Sequence, residues 1–308
     1  VILTAGLTPA WQQILVFDGF RYGEVNRAAE VHWCASGKVF NAGVAVHRLG
    51  GASLTLATVG GPVLAEMERD LDRLGVPRRW VLTEASTRVC TTILDRRTGT
   101  MTELVENGRP LRDEELAAFV RAYAEEASRA KVAVIIGSLP AGTPESFYRD
   151  LLEKTSCPVV LDFRGPGLLG VLDLRPYVVK PNREELARTA GHALASDGEL
   201  VEAMRGLNRQ GAQWVVITEG SKPIWVSSAE RLYRFHAPRA ETVVNPIGCG
   251  DAMAAAIAWA TREGRPLVDA VRLGVAAAGA NLRQLFPCRF DPSLVDEIAR
   301  QVRVEQVE

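Results

Sequence analysis

Asn245-Pro-Ile-Gly-Cys-Gly-Asp-Ala-Met-Ala-Ala-Ala-Ile-Ala-Trp-Ala260 leads from a β-rich stretch, through a Gly-x-Gly turn, into an alanine-rich helix with an acid in its first turn. Gly248 and Gly250 permit a tight turn that exposes the N–H groups of Cys249, Gly250 and Asp251, and the positive end of the helix points the same way. The stretch therefore predicts an anion site. A carboxylate there is repelled by a bound phosphate unless it takes a proton from an attacking hydroxyl, the role of an Asp in a kinase acting on an alcohol. Asp251 also suits a plain helix cap, and both readings stand. Two other phosphate motifs are missing: no G-x-x-x-x-G-K-[ST] occurs, and Gly248-x-Gly250 lacks the third glycine of a dinucleotide fingerprint.

Around this stretch, strands and helices alternate over all 308 residues, which predicts a mainly parallel sheet covered on both faces. The chain is 47% hydrophobic and carries 36 basic against 37 acidic side chains. Near-zero net charge gives no reason to propose a nucleic acid or an anionic membrane as partner. With no apolar run of membrane-spanning length and no basic-then-apolar leader, the chain is read as cytoplasmic. The five cysteines (34, 90, 157, 249, 288) are scattered and imply neither disulfides nor zinc. A thiol at the helix start, Cys249, is a candidate for a lowered pKa, though small size in a tight turn also accounts for it.

The segment Asn245–Ala258 resembles the G-[AC]-G-D signature of the ribokinase-like (PfkB) carbohydrate kinases, in the branch holding 1-phosphofructokinase and tagatose-6-phosphate kinase. Other stretches agree in order: Gly137-Ser-Leu-Pro140 resembles G-S-L-P, and Lys180-Pro-Asn-Arg-Glu-Glu-Leu186 resembles K-P-N-x-x-E-L. The resemblance implies one ribokinase-like α/β domain over residues 1–308, with a small β-sheet lid inserted at about 12–33 and 87–105. It also implies ATP and Mg2+ as cofactors, a sugar-phosphate substrate, and a homodimer paired through the lid strands.

Site residues follow from the same resemblance. Asp251 is the base, with Gly248, Cys249 and Gly250 holding the transferring phosphoryl group. Gly37, Lys38 and Asn41 match the family's G-G-K-G-x-N, where Lys and Asn hold the sugar, while Ser36 and Val39 replace glycines and should reshape the pocket. Arg88 stands where relatives bind the phosphate already on the sugar, and guanidinium suits bidentate phosphate capture. Arg27 is a second phosphate candidate, and Ser138 lies in a loop at a strand's C-terminal end, where ligands gather. Gln12 replaces the acid of N-P-A-x-D, so the sugar is expected to differ. Lys180, Asn182, Thr218, Gly220, Gly250 and Asn281 are expected on the nucleotide, Asn281 facing adenine, with Glu219 out of place beside a polyanion. Glu185 is expected to reach magnesium through water, although Asn182 and Glu185, three apart, also suit a capping pair. The implied reaction is phosphoryl transfer to a hydroxyl of a ketohexose phosphate. Alternatives are a kinase for a free sugar or nucleoside, and a non-catalytic regulator of the same fold.

Overall fold

The computed structural model describes residues 1–307. Its strands are β1 (Ile2–Gly6), β2 (Ala10–Phe17), β3 (Glu30–Ser36), β4 (Ser53–Val59), β5 (Arg78–Leu82), β6 (Arg88–Asp95), β7 (Thr100–Val105), β8 (Val132–Ile136), β9 (Val159–Asp162), β10 (Val178–Val179), β11 (Trp214–Ile217), β12 (Ile224–Ser227), β13 (Leu232–His236) and β14 (Arg303–Gln306). Between them run α1 (Lys38–Arg48), α2 (Leu64–Leu74), α3 (Asp113–Ala127), α4 (Phe147–Leu152), α5 (Pro166–Leu169), α6 (Arg183–Ala190), α7 (Asp197–Gln210), α8 (Cys249–Arg262), α9 (Leu267–Leu282) and α10 (Pro292–Gln301).

Strands buried on both faces read as unbroken apolar runs, because successive side chains enter opposite layers. In β8, Val132, Val134 and Ile136 pack into the layer containing α1, α8, α9 and α10, while Ala133 and Ile135 pack against α3, α4 and α7. The large sheet has the order β14-β13-β12-β11-β10-β9-β8-β1-β4-β5. It is parallel from β5 to β11 and antiparallel beyond. From β1 the chain proceeds to β4 and β5 on one side, then returns to β8 on the other, so the order reverses between β1 and β8. Ligands in open α/β sheets bind beyond the carboxyl ends of the strands at such a reversal. Thr8, Ser138, Asp162, Lys180 and Thr218 all lie at or just past those ends.

A second sheet, β3-β2-β6-β7, stands apart, with β2 parallel to β6 and antiparallel to β3. Its inner face, with Ile14, Val16, Cys34 and Leu94, packs on Leu285 and Phe286 after α9. Edge strands β5 and β14 are absent from the sequence reading. Covered on few sides, they carry arginines and acids in place of an apolar alternation. No helix among the described residues is long and apolar enough to cross a membrane.

Candidate active site

Gly248 opens α8 at φ 85°, a left-handed conformation, and a Cβ there would lie 3.0 Å from Pro287 Cβ and 3.2 Å from Cys288 Sγ. Both constraints demand glycine. The turn leaves the amides of Gly248, Gly250 and Asp251 without a hydrogen-bond partner among the described residues, whereas the Cys249 amide donates to Pro246 O at 3.3 Å. Cys249 is thus removed from the expected set of free donors.

Asp251, 6% exposed, accepts a hydrogen bond on Oδ2 from Asn41 Nδ2 at 2.8 Å, and its Oδ1 takes none from any described residue. Ser36 Oγ donates to Asn41 Oδ1 at 2.9 Å, which sets the amide so that its nitrogen faces the acid. Asn41, expected on the sugar, thus has both ends of its amide engaged by Ser36 and Asp251. Ser36 is turned to Asn41, and Val39 is buried in the core, so neither replaced glycine fills the pocket. Burial pushes the Asp251 carboxyl up to about 6, against the pull of Lys38.

A row of charges lies beside this acid. Asp162, at the end of β9, accepts from Lys38 Nζ on one oxygen and pairs with Lys180 Nζ on the other, both at 2.8 Å. Burial works against its charge, but the two ammonium groups win and hold its carboxyl below the usual range. Lys38 is likewise held protonated: burial opposes its charge, and Asp162, Glu185 and Asp251 outweigh burial. A Cβ on Gly250 would lie 3.4 Å from Lys180 Nζ, which places this ammonium at the anion turn. Asn182 caps α6, its side chain accepting from the Glu185 amide at 2.8 Å while Glu185 Oε2 accepts from the Asn182 amide at 2.9 Å. The capping pair is therefore real, and it leaves Glu185 Oε1 facing Lys38 at 3.7 Å and Arg164 at 3.9 Å.

Two cavities flank the row. One, of about 740 Å3, is lined by Thr218, Gly220, Cys249, Gly250 and apolar groups of α9 such as Val275 and Leu282. Its size and mixed lining suit a nucleotide. Asn281 is corrected: fully buried, it donates to Ile247 O at 2.8 Å and accepts from the Cys288 amide, so it braces the glycine turn instead of facing a base. The Cys249 thiol is pushed up to about 11 by burial, so the helix start does not activate it. Glu219, expected to be out of place beside a nucleotide, is paired with Lys222 at 2.6 Å and Arg183 at 3.0 Å.

The other cavity, of about 460 Å3, is lined by Thr8, Lys38, Arg88, Ser138, Arg164 and Glu185 among others. Arg88 lies in it, but its guanidinium donates to the carbonyls of Thr8, Pro9 and Glu106 at 3.0 to 3.3 Å. Gly37 acts by close approach: a Cβ there would sit 2.8 Å from Ala10 N. Gln12 is buried under the small sheet, donating to Thr92 Oγ1 at 2.8 Å, and it lines neither cavity. Arg27 is exposed on the loop between β2 and β3 and joins none of these groups. Asp162 has no place in the sequence reading, and Ser36 entered it only as a replaced glycine, not as the partner of Asn41. A single acid closing an apolar strand carried the only local hint, since functional groups collect at such ends.

A large mostly parallel sheet between helical layers, with a separate small sheet, is the ribokinase-like arrangement. Three solved structures share it. Escherichia coli phosphofructokinase-2 in complex with fructose-6-phosphate superposes with a TM-score of 0.84 at 21% identity, covering 98% of this chain and 99% of that one. A possible 1-phosphofructokinase from Thermotoga maritima gives 0.88 at 22%, with 100% and 99% covered. Arabidopsis thaliana ribokinase complexed with ribose and ATP gives 0.75 at 19%, with 97% and 98% covered. At such identities the likeness is one of fold. The chain itself belongs to the pfkB family of carbohydrate kinases, whose profile matches residues 8–288. It is accordingly an ATP-dependent carbohydrate kinase.

Proposed function

We propose that the protein transfers a phosphoryl group from ATP to a hydroxyl of a sugar phosphate, in the class of fructose-1-phosphate, fructose-6-phosphate or tagatose-6-phosphate. The observation that carries this reading is Asp251, buried, held through one oxygen by Asn41, and open at the other beside free backbone amides. In this reading Asp251 Oδ1 takes the proton of the attacking hydroxyl, while the amides of Gly248, Gly250 and Asp251 and the Lys180 ammonium stabilise charge on the transferring group. Lys38 and Ser138 line the sugar's cavity. Thr218 and Gly220 line the nucleotide's. Magnesium, when bound with ATP, neutralises charge on the β- and γ-phosphates. Glu185 Oε1 would be the group to hold a water of the magnesium shell, since Lys38 and Arg164 stand beyond hydrogen-bond distance of it.

The small sheet, built from the stretches at about 12–33 and 87–105, would act as a lid that excludes water from the activated phosphate. A second reading, a kinase for a free sugar, is favoured by Arg88, whose donors are largely taken by backbone carbonyls. ADP release with ATP and magnesium across ketohexose phosphates, free ketoses, ribose and nucleosides decides between them. A ketohexose phosphate is expected as the best acceptor by kcat/KM. A free sugar preferred over its phosphate would replace the first reading by the second.

The outer face of the small sheet bears Val31 and Trp33, 52% and 41% exposed, with Trp11 stacked on Trp33 at 6.0 Å and Leu104 further along the same face. An apolar face of this kind supports a homodimer paired through these strands. Light scattering is expected to give twice the chain mass for the native protein and a monomer for Trp33→Arg. A monomeric native protein at micromolar concentration would sink this assignment.

A further inference from the structure

Ser36, Asn41 and Asp251 form one line of hydrogen bonds, and all three are buried, at 1%, 4% and 6% exposure. Neither Ser36 nor Asn41 lines either cavity, so their polar ends meet each other and the acid. The polarity of the line is set from one end. An amide has the same outline either way round, and a serine hydroxyl can donate or accept. Ionised Asp251 can only accept. It therefore takes the Asn41 nitrogen, which turns Asn41 Oδ1 to Ser36 and makes the hydroxyl the donor.

The hydroxyl has no substitute. Without it, Asn41 Oδ1 meets no other donor among the described residues, and a buried acceptor left unpaired carries its full desolvation penalty. The amide is then held from one side only. Three separate elements meet in this line: Ser36 ends β3 of the small sheet, Asn41 lies on α1, and Asp251 on α8. The end of β3 is well placed, because Ser36 pairs with Ala10 of β2, and Gly37 follows at φ 86° where a Cβ would lie 2.8 Å from Ala10 N. The register of the small sheet thus delivers the hydroxyl to Asn41.

We infer that Ser36 is a positioning residue, which through Asn41 fixes the orientation of Asp251 and keeps its Oδ1 open toward the acceptor hydroxyl. This inference rests on Asp251 as the base and deepens that reading. The motif G-G-K-G-x-N carries glycine at this position, so the hydroxyl is a feature of this chain. Other groups bear on the acid as well. Burial disfavours its charge, Lys38 on α1 and Lys180 after β10 favour it, and Asp162 at the end of β9 opposes it. Cys249 on α8 and Cys288 after α9 also face it, but burial pushes both thiols up, so neither titrates with it. None of these groups bonds to the Ser36 hydroxyl, so replacing it alters the line alone.

The test compares the native protein with Ser36→Ala, Asn41→Ala and the two combined, and Ser36→Gly, the residue of the motif, removes the hydroxyl by a second route. The first readout is the Asp251 carboxyl itself. It is followed by carbon-13 NMR in protein labelled at its aspartate carboxyls, the signal being identified by its loss in Asp251→Asn. Removing the hydroxyl is expected to raise the titration midpoint by about 0.5 to 1 pH unit, the equivalent of one ordinary hydrogen bond, and Asn41→Ala by about 1 to 2. In the Asn41→Ala background, Ser36→Ala is expected to add nothing, because Ser36 acts only through Asn41. The second readout is kcat/KM for fructose-6-phosphate against pH, whose acid limb is expected to move with the NMR midpoint while the KM for ATP holds. If the midpoint moves but no ketohexose phosphate is turned over, or the acid limb stays put, the base reading fails and the line of hydrogen bonds stands. An unmoved midpoint in both hydroxyl-free proteins overturns the inference. So does a Ser36→Ala effect that is undiminished in the Asn41→Ala background.

Discussion

Asp251→Asn is expected to lower turnover by about 10²- to 10⁴-fold, the range for a positioned general base, with ATP affinity nearly unchanged. Asparagine keeps the size of the side chain and can still accept the hydrogen bond from Asn41 Nδ2, so the glycine turn should survive. What is lost is the basic oxygen. The native enzyme carries its own check, because burial pushes the Asp251 carboxyl up to about 6. As the proposed base, Asp251 must be ionised, so kcat/KM should rise with pH through about 6 and level off above it. In the Asn variant that step should vanish from whatever activity remains. Undiminished turnover, or an unaltered pH step in the variant, would remove Asp251 from the base role.

Loss of the Asp162 carboxylate should cost about 3–5 kcal/mol of stability, the usual penalty for leaving a buried charge without its partner. Asp162 and Lys180 are 2% and 4% exposed at their side chains, whereas Lys38, at 39%, can turn to solvent. The cost of Asp162→Ala thus comes mainly from Lys180, and Lys180→Met in the same chain should return part of it. Denaturant midpoints measure both. A single variant as stable as the native protein, or a double variant worse than the sum of its parts, would refute the account. The pH sign follows from the lowered folded-state pKa of Asp162. Its contribution is present above the ordinary carboxylate range and fades as pH falls through the lowered value, and Asp162→Ala should flatten that acid-side loss.

Residues near one another in the chain were legible from sequence. Gly248 to Asp251 announced a tight turn into a helix because Gly and an N-terminal acid have local backbone reasons to stand there. Asn182 and Glu185 announced a cap at spacing three, and the alternation of strands and helices announced a mainly parallel sheet covered on both faces. Such patterns arise from hydrogen bonds and burial within a few residues, and they set the place of Asp251, while the ribokinase-like class came from the resemblance of the motifs around Asp251, Pro140 and Lys180.

The division of labour among the polar groups was decided only by tertiary structure. Ser36, Asn41 and Asp251 form one chain of hydrogen bonds although 210 residues separate the last two. Asp162 joins Lys38 to Lys180 across the ends of separate elements. Arg88 donates to the carbonyls of Thr8, Pro9 and Glu106, and Asn281, expected to face adenine, braces the glycine turn. Each partnership depends on which strand ends the parallel order places side by side. A side chain's partner across such a distance leaves no periodicity in the sequence, because neither residue's local backbone requires the other.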